Sequence, residues 1–371
     1  MKICILSMQM IENMGSVLQS YALKKTLENL GNQVEFIDIK KNEEDYKLLG
    51  DYKQEYKEEK EKTGISGKIK KLDRYAINRL KIKKKSIKQN EVFADFRSNE
   101  LDINKKSPSY DLGIIGSDEV FNCLTGREWG FTTQLFGNIP EAKKVITYAA
   151  CCGSTKYGQL PENVIDRIKW AFKNVSAFST RDENTHKFVS LLTDNKSITN
   201  NLDPVLIYDF KEEVSKASLP PMPSRYCVIY SYYNRIHSEE EINMIKVFCK
   251  KHKLTPVAVG APQFWIKEYV VCTPFQCLKI FENAQFVITD TFHGTIFAAK
   301  YANKFAVLIR ESNRNKLADL VEKIQMQEHI IGDMQELDNK FECKKNKEAF
   351  ENIIKKERAK TLEYLKNSIE I

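Results

Sequence analysis

No apolar run in this 371-residue chain approaches the ~20 residues that a bilayer-spanning helix needs, which argues against an integral membrane protein. The opening Ile3-to-Met8 stretch meets polar Gln9 too early for a secretory h-region, so a cytoplasmic protein is expected. The sequence also lacks any C-x-x-C pair, any Cys/His spacing suited to structural zinc, any H-E-x-x-H pattern and any carboxylate-interleaved loop; no metal is expected. Its nine cysteines are an odd number, with Cys151 beside Cys152, and read as reduced thiols rather than a disulfide framework. No internal repeat changes this reading. A broadly basic surface is missing too: Lys+Arg number 58 against 50 Asp+Glu, but residues 68–88 alone hold ten Lys/Arg and one Asp. The rest of the chain is neutral, so a protein whose main business is nucleic acid is excluded.

What is present suffices for two domains. Hydrophobic residues make up 42% and aromatics 11%, enough for two ordinary cores. The first forty residues read as strand, helix, strand: Ile3–Leu6 is an apolar run, Val17 to Leu30 carries apolar residues at helical spacing, Gly31 stops the helix, and Val34–Ile39 follows. That alternation predicts a parallel sheet. From Lys41 to about Lys88 the pattern dissolves into charge and reads as an insertion, residues 41–90, ending in the basic tract. Ile69, Leu72, Ala76, Leu80 and Ile87 fall along one helical face of that tract. It suits contact with an anionic membrane at its inner face, but the favoured reading is a solvated helix that packs its thin apolar stripe on the body. Strand and helix patterns then alternate as far as Leu192, and the Ser/Pro-rich stretch from Ser215 to Ser224 reads as an interdomain linker. Beyond it a second α/β unit opens at Tyr226, with Ser238 and Glu241 as a capping box and Thr273-Pro274 as a helix start. The expected organisation is residues 1–214, residues 225–335 and an amphipathic C-terminal helix within 336–371.

Four loops carry the residue types of chemistry. Thr289 to Thr295 lies between a strand and a helix, where free amides and the helix dipole favour an anion and His293 can donate to it. The bland alternative is a histidine that only caps the helix. Gly116-Ser117-Asp118-Glu119 ends another buried strand; Asp118 can take a proton from a sugar hydroxyl, or merely cap the next helix. Arg181 follows a third strand and offers a two-pronged grip on carboxylate or phosphate, against the alternative of a surface ion pair. Asn13-Met14-Gly15-Ser16 precedes the first helix and could cradle an anion, but without the lysine of a P-loop it fails as a nucleoside triphosphate site. Arg310 and Arg314 follow the last strand as weaker candidates.

In this order the loops resemble the polysaccharide pyruvyl transferase family. Asn13 to Leu23 is similar to its N-[Y]-G-x-x-L-Q-x-[YA]-A-L opening, and Asp111 to Asn122 to its strand followed by G-S-D-Q-V-W-N. Tyr148 to Gly153 resembles its Y-A-A-S-x-G segment, Ser179 to Glu183 its S-x-R-[DE], Asp203-Pro204 its D-P, and Asp290 to Gly294 its T-D-S-F-H-G variant. The resemblance implies two Rossmann-like domains in a glycosyltransferase-B-like arrangement. It implies no cofactor, with phosphoenolpyruvate as donor substrate and a sugar or lipid-linked oligosaccharide as acceptor. On this resemblance His293 and Asp118 are the catalytic candidates; Arg181, Thr291, Gly294, Asn13, Gly15, Gln19, Gly116, Ser117 and Arg310 are candidates for binding substrate. Other members carry an arginine two residues before this histidine; here Thr291 stands there, and Arg310, Arg314 or Lys316 is left to supply the charge. The same architecture also serves nucleotide-sugar glycosyltransferases and non-catalytic carbohydrate-binding relatives.

Overall fold

The computed structural model describes residues 1–49, 76–124, 127–194 and 197–370. Two six-stranded sheets form, both wholly parallel. The first contains β1 (Lys2–Leu6), β2 (Gln33–Phe36), β3 (Tyr110–Ile115), β4 (Ala142–Thr147), β5 (Val175–Thr180) and β6 (Ile198–Asn200), in the order β2-β1-β3-β4-β5-β6. The second contains β7 (Tyr226–Tyr230), β8 (Thr255–Val259), β9 (Glu268–Val270), β10 (Phe286–Thr289), β11 (Phe305–Leu308) and β12 (Ile330–Ile331), in the order β12-β11-β10-β7-β8-β9. Helices cover both faces, so the central strands carry apolar cores, with Leu112, Ile114 and Ile115 of β3 and Cys227, Val228 and Ile229 of β7 fully buried. This is the fold expected: two Rossmann-like units in a glycosyltransferase-B-like pair.

Strand order decides where a ligand can enter. In the first sheet the connections run one way from β1 and the other way from β3; in the second they diverge between β7 and β10. A crevice opens at each divergence, beyond the carboxyl ends of the strands. The loops after β1, β3, β7 and β10 therefore border these crevices.

The strands absent from the sequence reading, β6, β9 and β12, are two or three residues long and lie at sheet edges, where half the ladder and most of the apolar pattern are missing. Thr273 does cap its helix, in a capping box with Gln276. Ser238 stands at the N-cap of the helix Glu239–Lys251 but makes no side-chain cap bond, so the box expected there does not form.

The charged segment resolves in part. Residues 50–75, including Ile69 and Leu72, lie outside the described residues. Before them, Asp45 is buried and accepts bonds from Thr133 and Arg167, which ties residues 43–47 to the first domain. After them runs a helix, Ala76–Phe96. Leu80 and Ile87 do not pack on the body as expected: they are 70% and 56% exposed. Ile82, Gln89, Phe93 and Phe96 are buried instead. The inner face is also pinned by polar bonds, Asn78 Nδ2 to the carbonyls of Phe264 and Ile266, and Lys85 Nζ to that of Tyr269.

One apolar cluster passes from domain to domain, with Tyr21 edge-on to Phe275 at 5.0 Å. Lys300 of the second domain reaches the carbonyls of Val205 and Tyr208 in the first, at 2.6 and 2.5 Å; burial pushes its pKa down to about 7. The C-terminal helix Lys347–Glu370 spans both halves. Just ahead of it Lys345 donates to Ala299 O, and at its far end Tyr364 donates to Thr147 O while Lys144 donates to Ser368 O.

Candidate active site

The crevices of the two sheets face each other across a cavity of about 300 Å³, lined among others by Asn13, Ser16, Asp118, Glu119, Arg181, Tyr232, Thr291, His293 and Lys316. On the first domain, Asn13 caps the helix Met14–Asn29 by accepting the Ser16 amide at 2.8 Å. Ser16 Oγ in turn donates to Asp118 Oδ2 at 2.9 Å. Asp118 sits in the left-handed region at φ 75°, just past β3, which turns its carboxylate toward the cavity rather than along the strand. Gly116, at φ 120°, makes that turn possible: a Cβ there would lie 2.2 Å from the Tyr148 carbonyl oxygen.

Arg181 stands at the end of β5, its side chain 3% exposed. Its Nη1 bonds Asp203 Oδ2 at 2.8 Å, its Nη2 lies 3.8 Å from Asp118 Oδ1, and the Phe292 ring lies 4.1 Å beneath it. Asp203 caps the short helix Pro204–Ile207 by accepting the Val205 amide. Burial would raise the Asp203 carboxyl, but His293 and Arg181 outweigh it and hold the pKa at about 2.

The second domain supplies the other wall. Thr291 ends the β10 loop and caps the helix Phe292–Tyr301 by accepting the Gly294 amide at 3.0 Å. The amides of Phe292 and His293 in that first turn have no acceptor among the described residues. Thr291, not His293, does the capping. The His293 side chain points across the domain boundary, with Nε2 3.4 Å from Asp203 Oδ2, an ion-pair distance. Its ring lies on Gly15, where a Cβ would come within 2.1 Å of Nδ1, so the two family segments meet face to face. Asp203 thus joins Arg181 of one domain to His293 of the other.

A second link crosses the cleft. Lys316 Nζ bonds Glu119 Oε1 at 2.8 Å, and Asn122 donates to the other carboxylate oxygen. Burial pushes the Glu119 carboxyl up, but Lys316 pulls it further the other way, to about 2; in reverse, Glu119 keeps Lys316 a cation above its ordinary range despite burial.

The candidates from the sequence separate into three groups. Asn13, Asp118, Arg181, Thr291 and His293 line the cavity. Gly15, Gly116, Ser117, Gln19 and Gly294 support it from behind: Gln19 and Ser117 are fully buried, Gln19 bonding Ser7 Oγ, while Gly294 packs on Thr289. Arg310 lies elsewhere. It is held by Asp290 at 2.6 Å and Glu241 at 2.9 Å, and lines a separate cavity of about 580 Å³. Two acids draw it away from the cleft, so it is not among the groups that meet there. Arg314 pairs with Glu311. Of the three cations that could stand in at Thr291, Lys316 is the one lining the cleft. Asp203, Glu119 and Tyr232 are additions that the sequence reading did not make. Asp203 lies inside the Asp203-Pro204 segment, while Glu119 has no local signal of a partner at residue 316.

Chemically the cavity combines two fixed cations, open amides at a helix start, a histidine and the partly buried carboxylate of Asp118. That set can hold a small, multiply charged anion and move a proton at it.

Among solved structures the chain is similar to UDP-N-acetylglucosamine 2-epimerase from Rickettsia bellii, at 11% identity and TM-score 0.48, over 98% of this chain and 97% of that one. It is also similar to Arabidopsis thaliana UGT89C1 complexed with UDP-L-rhamnose, at 10% identity and TM-score 0.49, over 98% of each chain. At such identity and score neither likeness bears on activity. No curated protein matches. The family model for polysaccharide pyruvyl transferase matches residues 13–312, a span that takes in the loops of both cavity walls, and the chain belongs to that family.

Proposed function

We propose that the protein transfers the enolpyruvyl unit of phosphoenolpyruvate to a sugar of a cell-surface or exopolysaccharide precursor, forming a pyruvate ketal. The carrying observation is the meeting of Arg181 and His293 at Asp203, with Lys316 across the same cavity. The donor bears a carboxylate and a phosphate, and the cavity offers a guanidinium, an ammonium and the amides of Phe292 and His293 for them.

Ketal formation requires a proton at C3 while C2 gains positive character. His293 would deliver it, with Asp203 to orient the imidazole. Attack by a sugar hydroxyl needs a base; Asp118 fills that role, held by Ser16 on one oxygen. Phosphate then leaves from C2, and a second hydroxyl closes the ring. The loops that would receive the sugar are those of the first domain.

A nucleotide-sugar donor fits less well. It would call for a carboxylate free to bind ribose in the second domain, and the Asp290 side chain is 1% exposed, with Oδ2 held by Arg310 and Arg235. Titration calorimetry with phosphoenolpyruvate and with UDP-sugars separates the readings: binding of the former alone is expected, and binding of UDP-sugars alone overturns the proposal. Release of phosphate that depends on an added glycan tests turnover, and silence across a broad acceptor panel would favour a binding protein instead.

A further inference from the structure

The helix Ala76–Phe96 has two unlike faces. At about 100° per residue, Asn78, Ile82, Gln89 and Phe93 fall on one side and Leu80 and Ile87 on the opposite one, within about 20° of each other. The first side is committed: Ile82 and Phe93 are buried, Asn78 holds Phe264 O and Ile266 O, and Gln89 exchanges bonds with the backbone of Cys272. The second side presents Leu80 and Ile87 to solvent, flanked by exposed Lys81, Lys83, Lys84 and Lys88. None of these four lysines has a carboxylate within ion-pair distance among the described residues, and no acid occurs between Ala76 and Asn90.

The helix is packed on the body by its first side, which leaves two large aliphatic side chains at helical spacing largely in solvent on the second. Aliphatic residues ringed by lysines with no ion pair among the described residues match an interface with acyl chains beneath anionic headgroups, and the cation excess selects that surface by charge complementarity.

We propose that this face docks the protein on anionic phospholipid, with Leu80 and Ile87 entering the headgroup boundary and Lys81, Lys83, Lys84 and Lys88 meeting the lipid phosphates. The helix is also in touch with the cleft. Arg79 lies 4.5 Å over the Phe264 ring, Phe264 is edge-on to Tyr233 at 5.5 Å, and Tyr233 lines the candidate active site. Docking would bring the rim of the cleft to the bilayer, which suits an acceptor carried on lipid; that last clause rests on the proposed reaction, whereas docking itself does not.

The test is sedimentation of the full chain with phosphatidylcholine vesicles, with or without about one-third phosphatidylglycerol, at low and moderate salt; no turnover is read. Expected are binding to the anionic vesicles alone, weakening as salt rises, and a loss of at least tenfold in partitioning for the Lys81→Gln/Lys83→Gln/Lys84→Gln/Lys88→Gln variant, from about fivefold per lysine at most. Leu80→Asn/Ile87→Asn should weaken binding further, with an unchanged circular dichroism spectrum. A control of equal charge, Lys344→Gln/Lys355→Gln/Lys356→Gln/Lys366→Gln, should bind nearly as the unaltered protein does. No binding at low salt overturns the proposal. So does an equal loss in the control, which would mark a non-specific charge effect. Undiminished binding by the Leu80/Ile87 variant overturns it as well, and points to a soluble polyanion such as RNA as the partner of the lysines.

Discussion

Arg181 and Arg310 begin as equals. Each follows a buried strand of a parallel sheet, and each is clasped by two acids: Asp203 and Asp118 for one, Asp290 and Glu241 for the other. Yet Arg181 borders the cleft between the domains and Arg310 a cavity inside the second. The difference lies in what stands beyond each pair. Asp203 has a third partner, His293 of the opposite domain, at the place where both sheets divide. Asp290 is answered within its own domain, by Arg310 and, at 3.5 Å, Arg235. On the proposed function, the strand-end cation that borders the crevice serves a ligand, whereas the one set apart from it stabilises its own domain.

Four variants test that contrast, in falling order of effect on turnover. His293→Ala should lower kcat by about 10²-fold or more while the unfolding midpoint moves little, because the ring contributes little to either core; an unchanged rate removes it from the chemistry. Arg181→Lys should weaken donor affinity about tenfold or more in calorimetry, since a point charge cannot reproduce a planar fork shared by Asp203 and a ligand. An unchanged affinity would make Arg181 a structural counterpart of Arg310.

Lys316→Gln should raise KM for the donor severalfold with a smaller effect on kcat. It should also change acid stability. Glu119 titrates near 4.5 when unfolded and near 2 when folded, so its pair with Lys316 stabilises above the first value and is lost as pH falls toward the second. The unaltered protein should lose on the order of 3 kcal/mol more than the variant over that window, measured by denaturant titration. Arg310→Gln should leave kcat and KM within about twofold yet cost on the order of 3 kcal/mol of stability by stranding buried Asp290. A large loss of turnover there would dissolve the contrast.

Much of this was legible in sequence. The central strands announced themselves as apolar runs between turn residues, and the loops after β1, β3, β5 and β10 carried the candidate side chains that line the cavity in short motifs. Periodicity is weaker at edges, hence the silence of β6, β9 and β12. Pairings were harder still: Glu119 and Lys316 lie 197 residues apart, and only the fold brings them within 2.8 Å. Asp203 belongs to a short D-P motif, yet its contacts come from an arginine and a histidine of different domains. For the helix Ala76–Phe96 the apolar residues were seen, but the side they face was decided by Asn78, Lys85 and Gln89, polar residues whose backbone acceptors no helical wheel displays.

The C-terminal helix is bonded near its start to the second domain and at its end to the first. A strut anchored at both ends fixes the distance between its anchors and leaves their angle free. The strut therefore works alongside the shared apolar cluster and the Lys300 bonds, and cutting the chain before Tyr364 should weaken the hold of one half on the other without removing a group from the cavity wall.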